Sequence, residues 1–331
     1  MDFVKINELA LELVKKLMDN KENYNIEVNE LSSGPTILDC TNATKIGGKL
    51  VAEICMGALG SVEFTSYDLD GNILEAVNVK TSKPIISCMA SQLAGWSVKL
   101  KKEVEKDGKI KKKVIFQSLG SGPARSKAKV EKLFEEIEYN DDSDCAIIVF
   151  ETRKMPNEEV MAIVTEKCKV DANKTYAVCA PTACLTGSIQ VSARVVETGI
   201  HKLHELHFPL EVIQAGSGNA PVAPIAKDDF KAMGLTNDSI IAAGTTFYTM
   251  NIEKEKEAEL FELIKNAPAN HSSSYGKPFN EIFKEANKDF YKIDPGLFAP
   301  ATYTVNNIKT GKNITVGEIN HELLKKSYGL S

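Results

Sequence analysis

Hydrophobic residues occur along the chain in short runs with two different spacings. Compact runs rich in β-branched and aromatic residues predict strands at residues 76–79, 114–117, 146–150, 176–180, 211–214 and 239–243. Runs with apolar residues three and four positions apart predict helices at residues 7–18, 124–139, 157–168, 188–207 and 257–265. Because the two kinds of run alternate, the pattern predicts an α/β chain with mixed sheets.

Turn residues predict two hairpins. In the lysine-rich stretch 98–115, Asp107-Gly108 lies between two alternating segments, which is typical of a tight turn between antiparallel strands. Lysines in such a hairpin protect an exposed sheet edge, and the stretch lacks the interleaved aromatic residues of a nucleic-acid platform. Near the C-terminus, Thr310-Gly-Lys312 predicts a closing hairpin over residues 302–316.

The composition narrows the classes of function. The 331 residues are 43% hydrophobic and 26% charged, as in ordinary globular proteins, and they suffice for two domains. No apolar run approaches the ~20 residues of a membrane span, and the amphipathic N-terminus lacks the features of a signal peptide. We therefore expect a cytoplasmic protein with no membrane partner. The net charge of −5 argues against nucleic acid as a partner and is compatible with a cationic substrate.

Cysteines and histidines raise the question of a metal site. The seven cysteines are an odd number and do not predict a disulfide framework, and Cys179-x4-Cys184 has no second pair to complete a zinc site. Cys55 and Cys145, like Cys179, lie in apolar stretches and are expected to be small buried residues. The triplet His201, His204 and His207 ends a predicted helix, but its third member rotates to another side. Histidines that complement the helix dipole are the simpler explanation, so no metal site is predicted.

Arg194 and Glu197 lie three residues apart in the predicted helix 188–207. Residues at this spacing share a helix face, so the two side chains can meet. The helix gathers five apolar side chains on its other side: Val195, Val196, Ile200, Leu203 and Leu206. A surface ion pair worth ~0–1 kcal/mol is the ordinary explanation for such a pair. The small and apolar neighbours favour a more sheltered place.

Two Gly-Ser-Gly stretches, Gly120-Ser-Gly-Pro-Ala-Arg125 and Gly216-Ser-Gly-Asn219, each follow a predicted strand. We interpret them as equivalent corners of two related halves. The first lacks the third glycine of a dinucleotide-binding loop and the Gly-Lys-Ser/Thr ending of a phosphate loop. Its N–H groups, with Arg125 and Lys127 nearby, can hold an anion. An ordinary strand-to-helix turn, with Pro123 in the first helical turn, remains the alternative.

Gly187-Ser-Ile-Gln-Val-Ser-Ala-Arg-Val-Val-Glu-Thr-Gly199 resembles the signature of the methenyl-tetrahydromethanopterin cyclohydrolase family. Further stretches agree in the same order, from about residue 30 to the C-terminus. They include Cys55-Met-Gly-Ala-Leu-Gly60, Ser91-Gln-Leu-Ala-Gly-Trp96, Gly120-Ser-Gly-Pro-Ala-Arg125, Ala220-Pro-Val-Ala-Pro224 and Tyr275-Gly-Lys-Pro-Phe279. Their number and order carry the resemblance.

The resemblance implies hydrolysis of a cyclic methenyl bridge, an amidinium cation, to an N5-formyl group on a reduced pterin. Such a reaction needs a base for water and an acid for the departing nitrogen, and one carboxylate can serve as both in turn. Glu197 is the candidate for that role, and Arg194 is expected to orient it and tune its pKa. Arg194 should lie beside Glu197 and away from the cationic carbon. Leu93 departs from family members that carry a lysine there.

The resemblance also implies two related α/β domains with an active-site cleft between them and a homotrimer. About residues 1–118 with 270–331 would form the first domain and about 119–269 the second, with interleaved segments. Pterin-binding candidates are Gly120, Ser121, Gly122, Arg125, Gly216, Ser217, Asn219 and Tyr275. For Tyr275 a place in the core is equally compatible with the sequence. No cofactor is implied, since the tetrahydromethanopterin carrier is the substrate.

Three alternatives remain open. One is another pterin-dependent one-carbon enzyme, a formyltransferase or a dehydrogenase, although we find no motif for its second substrate. Another is a non-catalytic binding protein in which Arg194 and Glu197 belong to the scaffold. The third is a metal-dependent hydrolase built on the three histidines.

Overall fold

The computed structural model describes residues 4–106, 109–289 and 292–330. The strands are β1 Glu27–Glu30, β2 Thr36–Asp39, β3 Gly60–Leu69, β4 Asn72–Thr81, β5 Trp96–Lys106, β6 Lys109–Ser121, β7 Ala146–Glu151, β8 Thr175–Ala180, β9 Ile213–Pro221, β10 Thr245–Met250, β11 Thr302–Asn307 and β12 Asn313–Gly317. The α-helices are α1 Ile6–Asp19, α2 Lys21–Tyr24, α3 Lys45–Cys55, α4 Ala124–Ala128, α5 Leu133–Glu136, α6 Glu158–Cys168, α7 Leu185–Ser192, α8 Val195–Glu205, α9 Asp229–Ala243, α10 Glu257–Lys265, α11 Phe279–Glu285 and α12 His321–Tyr328. A π-helix spans Ile85–Gln92, and short 3₁₀ helices lie at Ala172–Lys174, Leu210–Val212, Ala269–His271 and Pro295–Leu297.

These elements form two units, each built from two separate stretches of chain. One unit contains the residues up to 58 and residues 90–181, and the other contains residues 59–89 and those from 182 onwards. Each unit contains a six-stranded sheet with parallel and antiparallel pairs, which confirms the predicted α/β class with mixed sheets. In the described residues no helix is both long and apolar enough to cross a membrane.

The first unit is built on a sheet with strand order β1-β2-β8-β7-β6-β5. Its central strands β7 and β8 are parallel and almost entirely buried, as expected for strands covered on both faces. Helix α6 packs its Val160, Met161 and Val164 against this sheet. The helix begins where the Asn157 side chain accepts a hydrogen bond from the Val160 N–H at 3.1 Å.

The second unit is built on a sheet with strand order β12-β11-β10-β9-β4-β3. Its strands alternate between buried and more exposed residues, so one face is covered and the other is largely open. Helices α8 and α9 pack against the sheet, and α11 and α12 pack on α9. Phe247, 42% exposed, lies on the open face at the centre of β10.

Both predicted hairpins are confirmed. Strands β5 and β6 pair in antiparallel register with Lys106 opposite Lys109, while the turn residues Asp107 and Gly108 lie outside the described residues. Strands β11 and β12 form the C-terminal hairpin, and Gly311 in its turn has φ +73°, a conformation that favours glycine. The three cysteines expected in apolar surroundings, Cys55, Cys145 and Cys179, are buried.

Four predicted elements are wrong in type or extent. Of the strand predicted at residues 211–214, the first half lies in the 3₁₀ helix Leu210–Val212, and β9 begins only at Ile213. Residues 239–243 were expected as a strand but form the last turns of α9, whose N-terminus is capped by the Asp228 side chain on the Lys231 N–H at 2.8 Å. Residues 124–139 form only the short helices α4 and α5, because Lys129 adopts a left-handed conformation between them. The predicted helix 188–207 is divided into α7 and α8.

The end of α8 also differs from the prediction. The helix stops at Glu205, ahead of Phe208-Pro209, because His207 adopts a left-handed conformation with φ 57°. The N–H of Phe208 then donates to the Leu203 carbonyl at 3.0 Å, and the His207 N–H donates to the His204 carbonyl at 2.9 Å. These two bonds satisfy carbonyls that the helix end leaves without partners.

The borders of the two units differ from those of the predicted domains. The predicted first domain joins residues 270–331 to the N-terminal part of the chain. In the structure their strands extend the second sheet, since β11 pairs in parallel with β10. Residues 119–181, predicted in the second domain, carry β7 and β8 of the first sheet.

A buried carboxyl in the second unit makes its stability depend on pH. Asp238 of α9 accepts hydrogen bonds from the Phe279 N–H at 3.0 Å and from the Ser327 hydroxyl at 2.6 Å, and thereby links α9 to α11 and α12. Burial raises the pKa of Asp238 from 3.8 to about 7. In the unfolded chain this carboxyl ionises near pH 4, whereas in the folded protein it stays protonated until near pH 7.

The contribution of Asp238 to stability should therefore fall as the pH rises from about 4 to about 7, because this carboxyl binds fewer protons in the unfolded state in this interval. Asp238→Asn keeps an acceptor for the Phe279 N–H and cannot ionise. We expect the free energy of unfolding of the unchanged protein, relative to this variant, to fall by about 2–4 kcal/mol across that interval. Denaturant unfolding of both proteins at several pH values measures it. Parallel curves would show that Asp238 ionises normally.

Candidate active site

Arg194 and Glu197 lie where the chain passes from α7 to α8 in the second unit. The Arg194 N–H donates to the Val191 carbonyl three residues back, at 2.9 Å, and so departs from the four-residue spacing of an α-helix. The regular ladder resumes where the Thr198 N–H donates to the Arg194 carbonyl at 2.7 Å. Arg194 is thus the N-cap of α8, and Glu197 lies in the first turn of that helix.

Both side chains are sheltered from solvent. Arg194 is 8% exposed and Glu197 is 5% exposed, so neither belongs to an ordinary solvated helix face. The guanidinium of Arg194 donates from Nε and Nη2 to the Gln190 side-chain oxygen, at 3.2 and 2.9 Å. These bonds join the last turn of α7 to the N-cap of α8. Arg194 and Glu197 are therefore not the exposed surface ion pair, of little value to stability, that is the ordinary explanation for such a spacing.

Glu197 is close enough to Cys88 and Tyr248 to act on their ionisation. Its negative charge raises the pKa of both groups, in each case adding to a larger effect of burial. The pKa of Cys88 rises to about 12, and that of Tyr248 rises well above its usual value. Both groups therefore remain neutral at physiological pH. Cys88 belongs to the π-helix Ile85–Gln92, a rare geometry that is frequent at functional sites.

The sheet of the second unit fixes the first turns of α8. The Tyr248 hydroxyl donates to the Val196 carbonyl at 2.8 Å, and the Tyr303 hydroxyl donates to the Gly199 carbonyl at 3.4 Å. The apolar side predicted for this helix is confirmed for Val195, Val196, Ile200 and Leu203, all of them 0% exposed. Leu206, the fifth predicted member, lies beyond the end of the helix and is half-buried.

Gly216 and Gly218 allow α8 to approach the sheet. The stretch 216–219, predicted as a turn after a strand, lies inside β9, so that prediction is wrong. A Cβ on Gly216 would come within 2.8 Å of the Val196 side chain, and one on Gly218 within 3.0 Å of the Val195 side chain. Close packing of a helix on a strand thus explains both glycines. A pterin contact of Gly216 stays a prediction.

Ser217 and Asn219 project from the other face of the same strand, since successive side chains alternate. They therefore lie on the sheet face opposite α8, the helix that contains Glu197. Asn219 accepts a hydrogen bond from the Asn78 side chain on the neighbouring strand at 2.9 Å, and Ser217 is half-buried beside Phe247 of β10. The structure does not bring these two side chains together with Glu197 on one face.

Tyr275 lies elsewhere in the second unit. Tyr275 packs against the apolar cluster that includes Leu323 and Leu324 of α12 and against the one that includes Phe279 of α11, and its hydroxyl accepts a hydrogen bond from Asn320 at 3.2 Å. Burial raises the pKa of Tyr275. Tyr275 also lines a cavity of about 380 Å³ with residues of the loop 273–277. The core role considered from the sequence accounts for these contacts, and the pterin contact stays a prediction.

The turn Gly120-Ser121-Gly122 belongs to the first unit. Gly120 and Ser121 end β6, and Gly122 follows with φ +90°, so a strand-to-helix turn before α4 is observed. The N–H of Gly122 donates to the Ser91 carbonyl at 2.9 Å, and the N–H of Arg125 donates to the Gly122 carbonyl at 3.2 Å. Ser121 is buried, with its hydroxyl 3.7 Å from the Cys55 sulfur. These two N–H groups are therefore engaged within the unit.

Arg125 was predicted among the pterin-binding residues, and the structure places it in the interior of the first unit. Its side chain is fully buried, and the guanidinium forms a bidentate pair with Glu131 through Nε, at 3.0 Å, and Nη2. Its Nη1 donates to the Ser91 carbonyl at 3.1 Å, and the Phe134 ring lies 5.4 Å from its central carbon. This pattern is that of a structural ion pair.

The histidines at the end of α8 do not form a cluster. His201 lies 3.8 Å from Glu205, a surface pair within one helix, and His207 is exposed in the turn that follows. Across residues 4–106, 109–289 and 292–330, no three or more His, Cys, Asp or Glu side chains are grouped in a way that could hold a metal ion.

Comparison with known proteins shows which family contains this sequence. The model of the cyclohydrolase family termed MCH matches residues 5–328, nearly the whole chain. The chain belongs to this cyclohydrolase family. It is 43% identical to methenyltetrahydromethanopterin cyclohydrolase of Methanocaldococcus jannaschii over 98% of both chains. It is 40% and 39% identical to the proteins of that name from Methanococcoides burtonii and Methanosarcina barkeri, over 99% of each chain.

Family membership confirms the resemblance found in the sequence, and the structure adds residues that sequence reasoning missed. Gln190 contacts Arg194 across the helix break, and its four-residue spacing from Arg194 was the available signal. Cys88 lies near Glu197 through a tertiary contact that no local pattern indicates. In this cyclohydrolase chain Arg194 is therefore contacted from α7, while Cys88 of the π-helix and Tyr248 of β10 lie close enough to Glu197 for its charge to act on them.

Proposed function

We propose that the chain hydrolyses 5,10-methenyl-tetrahydromethanopterin to 5-formyl-tetrahydromethanopterin. Its membership of the cyclohydrolase family and the names of its relatives support this reaction. The observation that carries it is the placement of Glu197, a sheltered carboxylate in the first turn of α8, three residues after the N-cap residue Arg194. The attack of water on a cationic carbon is assisted by a positioned base that takes the water proton.

In the proposed reaction Glu197 takes a proton from a water molecule while the oxygen of that water bonds to the methenyl carbon. The resulting hydroxyl adduct is neutral, since the substrate cation has gained a hydroxide. Glu197 then returns its proton to N10 as the bond from carbon to N10 breaks. The hydroxyl proton leaves to solvent while the carbonyl forms, so the overall reaction consumes one water and releases one proton. Such acid–base catalysis typically contributes ~10²–10⁴-fold in rate.

Arg194 supports Glu197 and keeps clear of the reacting carbon. A guanidinium near a carboxylate favours the ionised form of that carboxylate, whereas burial disfavours it. A guanidinium pointed at the amidinium would instead repel the substrate. The Gln190 side chain binds the Arg194 guanidinium from the α7 side, which is compatible with a guanidinium that does not point at the substrate cation.

The wider role that we propose is one-carbon metabolism in the methanogenesis pathway, carried out by a cytoplasmic homotrimer. The pterin substrate is its small-molecule partner, and neither a cofactor nor a metal takes part. The pterin would bind in a cleft lined by residues of the predicted set.

Turnover by the purified protein alone tests this function. Hydrolysis removes the conjugated methenyl group, so its absorbance should disappear in the absence of any redox partner and equally in the presence of a chelator. Lack of turnover by well-folded protein would contradict the proposal. Loss of activity on chelation, restored by zinc, would instead support a hydrolase built on the histidines. A requirement for a second substrate would indicate a formyltransferase or a dehydrogenase.

A further inference from the structure

The sheet of the second unit has an open face, on the side opposite to α8. Tyr248 of β10 and Tyr303 of β11 point towards α8, where their hydroxyls bond to backbone carbonyls of that helix. Because side chains alternate along a strand, the residues next to these tyrosines point to the other side. Four residues lie directly opposite one another across the centre of this open face, on β9 to β12: Ser217, Phe247, Thr304 and Thr315.

The open face carries no charged side chain on the fully described strands β9 to β12, although 26% of the chain is charged. The rows on either side of the central one contain only Ala, Asn, Thr and Gly residues. Charges begin at the rim, where Lys80 of β4 lies opposite Ser217 and pairs with Glu63 of β3 at 3.3 Å. An uncharged centre with an aromatic ring and a charged rim is the composition of a protein–protein interface.

The residues of the open face are accessible, and their polar groups already have partners within the sheet. Phe247 is 42% exposed, and the polar residues around it are exposed or half-buried. The hydroxyls of Thr304 and Thr315 lie 3.1 Å apart and bond to each other, and Asn219 accepts a hydrogen bond from Asn78 at 2.9 Å. Such bonds persist when a partner covers the face, so burial of these polar groups costs less free energy.

The absence of charge indicates that a second copy of this chain fits the open face. The chain has a net charge of −5, so copies repel each other wherever their charged surfaces meet. Around the rotation axis of a symmetric oligomer, moreover, each residue meets its own copy, and a charge would face the same charge. An uncharged face avoids both repulsions. An acidic partner would instead be matched by the lysine-rich stretch 98–115.

The open face has the size of the central part of an interface. Strands β10 and β11 have six residues each. At about 3.3 Å per residue, and with four strands about 4.8 Å apart, the face measures roughly 19 by 20 Å. This is roughly half of the ~800 Å² that each partner buries in a standard interface. Strands β3 and β4 continue the same sheet and extend the contact to its charged rim.

We propose that copies of this chain associate through the open face, with Phe247 at the centre of the contact. This inference rests on the assembly stated in the proposed function and names its contact surface, while it is independent of the chemistry at Glu197. It predicts that association is sensitive to a charge placed on the face and insensitive to salt.

Phe247→Lys and Thr304→Lys test the contact by placing a charge on the face. Both positions are accessible in the single chain, so both variants should fold. On association each variant would bury a charge without a partner, and the dissociation constant of self-association should rise at least ~100-fold. Sedimentation velocity over a range of protein concentrations measures this constant, and thermal unfolding shows whether each variant is folded.

Ile73→Lys is the matched control. Ile73 of β4 is a 68% exposed apolar residue of the same unit. Its position along the strand differs from that of Lys80 by an odd number of residues, so its side chain alternates away from the open face. The control introduces the same charge at an exposed apolar residue and should associate as the unchanged chain does.

The salt dependence of the unchanged chain separates this contact from one made by ion pairs. Raising the ionic strength from ~0.1 to ~1 M shortens the Debye length from about 10 to about 3 Å. Association through an uncharged face should not weaken over this interval. Dissociation at high salt would show that ion pairs hold the copies together, for example between the lysine-rich stretch 98–115 and an acidic surface, and would overturn the inference.

Other results would also overturn it: an unchanged chain that stays monomeric, lysine variants that associate as well as Ile73→Lys, or a loss of association that appears only with loss of folded protein in both. A raised KM for the pterin in Phe247→Lys, with association unchanged, would assign the face to the substrate instead. Turnover is measured separately. A monomeric chain that hydrolyses the substrate would refute this inference and leave the reaction standing, whereas an associated chain without turnover, dissociated by Phe247→Lys, would refute the reaction alone.

Discussion

Replacing Glu197 by Gln is expected to lower kcat at least ~100-fold, because the amide can neither take the proton of water nor return it to N10. The amide has nearly the shape of the carboxylate, and the first turn of α8 is held independently by the Tyr248 hydroxyl on the Val196 carbonyl. The fold and the affinity for the substrate should therefore be retained. Steady-state kinetics together with a direct binding measurement separate these quantities.

Glu205→Gln on the same helix is the control for this prediction. The Glu205 side chain is 48% exposed and lies 3.8 Å from His201, so its substitution should leave kcat unchanged. Near-normal turnover in Glu197→Gln would assign the proton transfer to another group. An equal loss in both variants would indicate damage to α8 and not the removal of a base.

Replacing Arg125 by Met should have the largest effect on stability. The substitution leaves the Glu131 carboxylate, 14% exposed, without the guanidinium that pairs with it. Removing one partner of a buried ion pair typically costs 3–5 kcal/mol, and we expect the free energy of unfolding to fall by about that amount. Denaturant unfolding measures the loss, and the double variant Arg125→Met with Glu131→Gln should regain part of it.

The same variant decides between two roles for Arg125. With a structural role, KM for the pterin should stay within about twofold of that of the unchanged enzyme once the protein is folded, as in the control Lys132→Met at an exposed neighbouring position. A large rise in KM with little loss of stability would instead support the pterin contact predicted from the sequence.

The sequence predicts best those parts of the fold that are specified by local patterns. Strands 146–150 and 176–180 are continuous apolar runs, and the structure places them at the buried centre of the first sheet. The 302–316 hairpin follows from its glycine turn. By contrast, residues 239–243 have the β-branched and apolar character of a strand, yet they continue a helix that is capped eleven residues earlier by Asp228. Short apolar runs do not distinguish a buried strand from a buried helix.

The candidate site shows the same division. The three-residue spacing of Arg194 and Glu197 predicts that they belong to one helical segment. The break before α8, by contrast, depends on backbone hydrogen bonds that the periodicity of the sequence does not reveal. The Gly216 and Gly218 pair resembles a ligand-binding turn in sequence, whereas the structure uses it to let α8 approach β9. Glycine marks a close approach of the backbone without indicating what approaches it.

The most direct measurement uses substrate labelled with ¹³C at the methenyl carbon, mixed in single turnover with the unchanged enzyme and with Glu197→Gln. We expect the unchanged enzyme to move the label fully to an N5-formyl carbon, while the variant binds the substrate and leaves the label in the methenyl group over the same interval. Formation of a different product, or conversion by Glu197→Gln at the rate of the unchanged enzyme, would contradict the assignment of Glu197 as the base of this hydrolysis.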